Sequence, residues 1–184
     1  MKTVSKVAII GIGNILLGDD GVGPYVVRTL EASYEFGPDV QVLDVGTPAL
    51  DFIDNLVGMD AVILVDSVEN DRSAGTITLY RKEDILRHGI SVRMDPHSPA
   101  LGESLLTADL MGICPKEVLL VGITGRSYDA GCELSPEAKN AVDLAIDVVR
   151  AELRRLDVPY FAATKQAKPD IWWTPTQPAA TSVH

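Results

Sequence analysis

The sequence has few of the residues that build cross-linked, membrane-spanning or nucleic-acid-binding proteins. Its 184 residues include two cysteines, Cys114 and Cys132, which form no C-x-x-C pair; this argues against a disulfide framework and favours a reduced, cytoplasmic location. No apolar run is long enough to span a bilayer. Lys and Arg number 16 against 26 Asp and Glu, a formal net charge of -10, which argues against nucleic acid and anionic membranes as partners.

What remains is the composition of a globular protein with one sizeable core, 46% hydrophobic and 23% charged. Residues 1–156 are predicted to form a single α/β domain. Residues 157–184 are polar and proline-rich, and are interpreted as an extended or disordered tail. Within the tail we expect Ile171, Trp172 and Trp173 to dock on an apolar patch of the domain or of a second copy, because adjacent tryptophans are costly to leave in water. Self-association is therefore a further expectation.

Short apolar runs alternate with amphipathic stretches in the first part of the chain. Strands are predicted at residues 6–11, 40–44 and 61–65, and helices at 21–36 and 48–56. This β-α-β-α-β order predicts parallel strands joined by right-handed crossovers.

The pattern changes after the third strand. Residues 69–75 are too few for a crossover helix, so residues 76–81 are predicted to form an antiparallel strand, while the secondary structure of 82–93 is ambiguous. Ser98-Pro99 opens a helix that ends before Gly112, residues 117–121 form the last strand, and Ser135-Pro136 opens the final helix. The fold class predicted is a three-layer α/β protein with a twisted, five-stranded, mostly parallel sheet, one strand antiparallel, between helices.

Three residues with useful side-chain chemistry are predicted to meet at one edge of this sheet. Ligands of doubly wound sheets bind outside the carboxyl ends of the strands, where the strand order reverses. Asp20 follows the first strand and Asp66 follows the third, on either side of that point. His97 precedes a helix, whose positive end disfavours imidazolium and so keeps the ring available to a metal. Two carboxylates and one imidazole suit borderline divalent metals and leave coordination positions open.

Each of these residues also has a purely structural interpretation. Asp19 or Asp20 would cap the helix that begins near Gly21, Asp66 would close a loop after its strand, and His97 would be an ordinary structural histidine.

A dinucleotide site is a further alternative, since Gly11-Ile12-Gly13 follows a strand and Asp44 ends the next one. Leu16 occupies the place of the third glycine, however, and Asp19-Asp20 would put negative charge at the pyrophosphate position. The chain has neither a G-x-S-x-G nor an H-E-x-x-H motif.

The run from Gly11 to Gly23, GIGNILLGDDGVG, resembles the opening signature of the hydrogenase maturation endopeptidases. The resemblance covers residues 7–156 and continues at five further segments, in order and with matching spacing: 43–47, 62–67, 96–97, 119–123 and 134–136.

The resemblance implies a peptidase that removes a C-terminal extension from the large subunit of a nickel-iron hydrogenase after nickel insertion. It implies that Asp20, Asp66 and His97 contact the metal and carry the catalysis, and that Gly46 and Thr47 bind substrate. The nickel would be carried by the substrate rather than permanently bound, and the partner would be the large-subunit precursor. Two other functions stay open: a nickel-sensing assembly chaperone that does not cleave, and a dinucleotide-binding oxidoreductase.

Overall fold

The structure, a computed structural model, describes residues 5–47, 50–88, 100–165 and 167–173. The strands are β1 Val7–Gly11, β2 Tyr34–Phe36, β3 Val40–Asp44, β4 Ala61–Val68, β5 Ile77–Arg81, β6 Glu117–Thr124 and β7 Tyr160–Ala162. The helices are α1 Val22–Ser33, α2 Lys82–His88, α3 Ala100–Leu110 and α4 Pro136–Arg155, with short 3-10 helices at Gly18–Gly21 and Leu50–Asn55. Where the described residues contain a helix, none is long and apolar enough to cross a membrane.

Five strands form one sheet in the order β3-β1-β4-β6-β5. β1, β3, β4 and β6 are parallel, and β5 pairs antiparallel with β6. The predicted fold class is therefore confirmed, including the strand reversal beside β1 that defines the switch point. Two strands are longer than predicted. β4 continues to Val68 and β6 continues to Thr124, and these two residues pair with each other. Asp66 therefore lies within its strand rather than after it.

The sheet is buried on both faces, which makes the protein three-layered. Because side chains alternate along a strand, Ile9, Ile63 and Val65 pack with α1 and α4 on one face. Ile10 and Leu64 pack on the other face, with residues of α2, α3 and the 3-10 helix Leu50–Asn55. Near-continuous apolar strands are what a parallel sheet covered on both faces requires.

The predicted bounds of the last two helices agree well with the structure. Ser135 caps α4, and its Oγ accepts a hydrogen bond from the Ala138 N–H at 3.1 Å. Gly112, with φ +69°, follows the end of α3. The ambiguous segment 82–93 begins with α2; residues 89–99 lie outside the described residues.

The first helix is shorter than predicted. It ends at Ser33, and Tyr34–Phe36 instead forms β2, which pairs antiparallel with β7. The rings of Tyr34 and Tyr160 meet edge to face, with centroids 5.6 Å apart. The prediction that this helix extends to residue 36 was therefore wrong, because the strand that pairs with residues 34–36 lies far away in sequence.

Part of the segment after α4 packs against the rest of the protein. β7 lies beyond residue 157, so the start of the predicted tail pairs with β2. Further on, Trp173 is 8% exposed whereas Trp172 is 71% exposed, and their rings meet edge to face at 5.8 Å. Of the two tryptophans expected to dock, Trp173 is the buried one. The division of the chain after residue 156 stays a prediction.

Candidate active site

The carboxyl ends of β1 and β4 are approached closely by the start of α1. A Cβ atom on Gly23 would lie 2.2 Å from the carbonyl oxygen of Ile12 and 2.4 Å from that of Val65, so only glycine lets the helix begin there. Gly13 has φ +138°, and a Cβ atom there would lie 1.8 Å from the carbonyl oxygen of Asp20. The glycines of the opening motif therefore fold the loop tightly enough to bring Asp20 over the strand ends.

Both carboxylate oxygens of Asp20 accept hydrogen bonds. The Asn14 N–H donates to Oδ2 at 2.8 Å, and the Ser67 hydroxyl donates to Oδ1 at 3.0 Å. These bonds link the glycine-rich loop to β4 and fix the orientation of the carboxylate. They also place Asp20 beside the residue that follows Asp66.

Asp66 is almost completely buried, with 4% of its surface exposed. Its Oδ1 accepts a hydrogen bond from the Ser67 N–H at 2.7 Å. Burial and the negative charge of Asp20 raise the pKa of Asp66 well above its ordinary value, although the bond from Ser67 acts in the opposite direction. A buried carboxyl whose acidity is perturbed by a second carboxyl in a crevice marks a candidate functional site.

The structure thus brings Asp20 and Asp66 together at the predicted switch point, while His97 lies outside the described residues. α3, which begins at Ala100 shortly after His97 in the sequence, packs on the same sheet face as the side chain of Asp66. Within the described ranges, no group of three or more His, Cys, Asp or Glu side chains is arranged to hold a metal ion. Since His97 is not among those residues, the predicted three-residue site stays a prediction.

Gly46 and Thr47 lie in the loop after β3, next to the glycine-rich loop. The Gly13 N–H donates to the Gly46 carbonyl at 2.9 Å, and the Gly46 N–H donates to Asp44 Oδ1 at 3.2 Å. Gly46 has φ +59°, a conformation that favours glycine. Thr47, three residues after the end of β3, is exposed. The role of this loop in substrate binding stays a prediction.

Asp19 has a structural role that the sequence did not reveal. It is 1% exposed and accepts hydrogen bonds from the Arg126 N–H at 2.7 Å, the Ser127 N–H at 3.3 Å, the Ser135 N–H at 2.6 Å and the Ser135 hydroxyl at 2.8 Å. It therefore fastens the loop after β6 and the start of α4 to the glycine-rich loop. A doublet of aspartates before a glycine gives no sign of partners more than a hundred positions away.

The helix-cap alternative is wrong for both aspartates. The N-cap residue of α1 is Gly21, and no side chain makes a capping hydrogen bond there. Asp19 instead bonds the distant loop, and Asp20 bonds Asn14 and Ser67.

The contacts of the loop also argue against a dinucleotide site. The Asn14 N–H, which would face a pyrophosphate in such a loop, is bonded to the Asp20 carboxylate. Asp44, the acidic residue that ends the next strand in that interpretation, forms an ion pair with Arg28 at 3.5 Å.

The chain matches known proteins over most of its length. Residues 24–152 match the family model described as hydrogenase maturation protease. The chain is 29% identical to the hydrogenase 2 maturation protease of Escherichia coli over 154 residues, which cover 83% of this chain and 93% of that protein. It is 31% identical to the hydrogenase expression/formation protein HupD of Rhodobacter capsulatus over 150 residues, which cover 81% of this chain and 71% of that protein.

Solved structures give the same result. The hydrogenase maturating endopeptidase HybD from E. coli superposes with a TM-score of 0.77 at 26% identity, covering 85% of this chain and 97% of that chain. A hydrogenase 2 maturation peptidase from a Thaumarchaeota archaeon superposes with a TM-score of 0.60 at 33% identity, covering 80% and 97%. Since the family model spans more than half of the residues and the fold agrees with that of its members, this chain belongs to the hydrogenase maturation proteases and is a peptidase.

Proposed function

We propose that this peptidase removes the C-terminal extension of a nickel-loaded [NiFe] hydrogenase large-subunit precursor. The names of its relatives, hydrogenase 2 maturation protease and maturating endopeptidase, support the general process. The observation that carries the proposal is the pair of carboxyl groups, Asp20 and Asp66, gathered at the carboxyl ends of β1 and β4 with the pKa of Asp66 raised by burial and by Asp20. A cation that approaches this pair relieves an unfavourable arrangement of charge.

The cation would be the nickel of the substrate. Asp20 and Asp66 supply oxygen donors and His97 a nitrogen donor, a mixed set that suits borderline divalent metals. The nickel arrives with the precursor and leaves with the product, so it serves as the recognition signal rather than as a resident cofactor. Gly46 and Thr47, in the loop after β3, would contact the polypeptide of the precursor.

Two chemical roles for the aspartates agree with this arrangement. In the first, the metal polarises the scissile carbonyl or acidifies the attacking water. In the second, the metal only anchors the substrate, and one aspartate accepts the proton of the water. A carboxyl whose pKa is raised is the better base near neutral pH, which supports Asp66 as the base in the second arrangement. Neither arrangement uses the Asp-Thr-Gly pair of pepsin-like proteases, so pepsin inhibitors should leave cleavage unchanged.

The experiment incubates the protein with nickel-loaded and nickel-free precursor and measures product mass by mass spectrometry. We expect shortening of the nickel-loaded precursor only, and no cleavage by His97→Ala, whose circular dichroism should match that of wild type. Efficient cleavage of nickel-free precursor would overturn metal recognition. Tight binding of the nickel-loaded precursor without any cleavage would identify a chaperone instead.

Fractionation of the native cells tests the proposed cytoplasmic location, and sedimentation tests self-association.

A further inference from the structure

Ser67 occupies an unusual place between the two aspartates of the proposed site. It is 1% exposed and lies in β4, which stays regular to Val68. Because side chains alternate along a strand, Asp66 faces the side of α3 and Ser67 faces the side of α1. The side chain of Ser67 therefore lies on the face from which Asp20 approaches.

Ser67 makes a hydrogen bond to each aspartate, through two different groups. Its backbone N–H donates to Asp66 Oδ1 at 2.7 Å, and its hydroxyl donates to Asp20 Oδ1 at 3.0 Å. The bond to Asp66 belongs to the backbone and survives any substitution other than proline. The bond to Asp20 depends on the hydroxyl, so it alone can be removed by mutation.

The terminal torsion of an aspartate side chain is soft, so its orientation is set by its hydrogen bonds. Asp20 is held at Oδ2 by the Asn14 N–H and at Oδ1 by the Ser67 hydroxyl. Donors on separate oxygens fix the plane of the carboxylate. One of them comes from the glycine-rich loop and the other from β4, the strand that carries Asp66.

We propose that Ser67 is a positioning residue that sets the orientation of Asp20 relative to Asp66, so that both carboxylates face one metal ion carried by the substrate. This inference rests on the proposed function. Hydrogen-bonded groups behind metal ligands typically change metal affinity about 10- to 100-fold when they are removed. The sequence interpretation assigned no role to Ser67.

A purely structural role for a buried serine predicts something different. In that case removal of the hydroxyl changes the stability of the protein and leaves metal binding unaltered. Ser104 in α3 provides the matched control: it is 2% exposed, and its hydroxyl has no hydrogen-bond partner among the described residues. Ser104→Ala removes the same atom from a buried position whose hydroxyl makes no hydrogen bond to Asp20 or Asp66.

The test measures binding of Ni²⁺ alone to the full-length protein by calorimetry, together with thermal unfolding and the kcat and KM of cleavage of nickel-loaded precursor. For Ser67→Ala we expect Ni²⁺ affinity to fall about 10- to 100-fold, with a melting temperature somewhat below that of Ser104→Ala, because only Ser67 loses a hydrogen bond. Ser67→Thr, which keeps the hydroxyl on a β-branched residue suited to a strand, should recover most of the affinity. Ser104→Ala should bind Ni²⁺ as wild type does.

Five outcomes would contradict the positioning role. Wild-type affinity in Ser67→Ala overturns the positioning role, as does equal loss in Ser67→Thr and Ser67→Ala. If Ser67→Ala does not fold, Ser67→Thr is compared with Ser67→Cys, whose thiol is a weaker hydrogen-bond donor. Equal Ni²⁺ affinity of these two variants would contradict the positioning role of Ser67. If wild type binds no Ni²⁺, or Asp66→Asn binds it equally well, the positioning role is overturned, whereas the proposed function is decided separately by the cleavage of nickel-loaded and nickel-free precursor.

Discussion

Buried carboxylates lie at both ends of the central sheet, and their surroundings change their acidity in opposite directions. At the amino-terminal end of the parallel strands, burial opposes ionisation of Glu152, but hydrogen bonds from Arg81 and Arg155 outweigh it and lower the pKa of Glu152 to about 2. At the carboxyl-terminal end, burial and the charge of Asp20 raise the pKa of Asp66. One region supplies cations to its buried acid, whereas the other places a second acid beside it.

This difference separates a carboxylate that stabilises the fold from carboxylates available for function. Glu152 joins α4 to β5 through Arg81, and Arg155 extends the network to Glu117 at the start of β6. No ligand is needed to make that arrangement favourable. The Asp20–Asp66 pair becomes favourable when a cation approaches, as a metal-bearing substrate would do.

The largest effect on cleavage should follow substitution of an aspartate at the carboxyl-terminal end of the parallel strands. Asp20→Asn and Asp66→Asn each remove a charge that would contact the substrate metal or the reacting water, so we expect the cleavage rate to fall by at least about 100-fold. Rates are measured with nickel-loaded precursor at matched concentrations of folded protein. Asp143→Asn, an exposed site on α4, removes the same charge and should cleave normally. Normal cleavage by Asp20→Asn or by Asp66→Asn would show that the substituted aspartate has no role in cleavage.

Substitution at the other end should affect folding instead. Glu152→Gln leaves Arg81 and Arg155 without their buried anion; because both arginines are partly exposed, water can take over some of their contacts. We expect a loss of about 2 kcal/mol in the free energy of unfolding, less than for a fully buried pair, measured by urea denaturation. Cleavage per folded molecule should not change. A fall in cleavage comparable with that of Asp66→Asn would erase the distinction between the two regions.

Glu152 should make the free energy of unfolding depend on pH in the acid range. Its pKa falls from the ordinary 4.5 to about 2 on folding, so its contribution is present above pH 4.5 and is lost as the pH falls through 2. Because the two arginines are partly exposed, wild type should lose on the order of 2 kcal/mol of its free energy of unfolding across this window, a loss that Glu152→Gln should not show. Parallel profiles for the two proteins, from urea denaturation at several pH values, would show that Glu152 is not the group responsible.

The smallest effect on the free energy of unfolding should come from an exposed ion pair on α4, the helix that also carries Glu152 and Arg155. Asp147 and Arg150 form an ion pair at 2.7 Å with the i,i+3 spacing of Glu152 and Arg155, but the Asp147 side chain is 67% exposed and that of Glu152 is 6% exposed. Asp147→Asn should change the free energy of unfolding by less than about 0.5 kcal/mol. A loss equal to that of Glu152→Gln would mean that burial is not what makes the network strong.

The sheet was predictable because its signals are local. Apolar runs such as 61–65 and caps such as Ser135-Pro136 depend on neighbouring residues, and the crossover rules then restrict the topology. The pairing of Tyr34–Phe36 with Tyr160–Ala162 was not predictable, since each segment is three residues long and the contact joins distant parts of the chain.

The candidate site shows the same limit. Asp20 and Asp66 could be placed at the switch point because strand ends define its position. The different role of Asp19 could not be found, because its partners lie in the loop before α4. The bond from Ser67 to Asp20 depends on β4 continuing beyond Val65, and the apolar run ends there.

The free energy of unfolding of Asp66→Asn at neutral pH tests the central claim most directly. Folding raises the pKa of Asp66, so its ionised form is disfavoured in the folded protein and lowers stability once the pH exceeds the pKa of the unfolded chain. A neutral amide keeps an oxygen for the Ser67 N–H and removes the like charge next to Asp20. The account predicts that urea unfolds Asp66→Asn at a higher concentration than wild type, with an unchanged slope, although cleavage is lost. A lower midpoint would contradict it, because Asp66 would then stabilise the fold as Glu152 does.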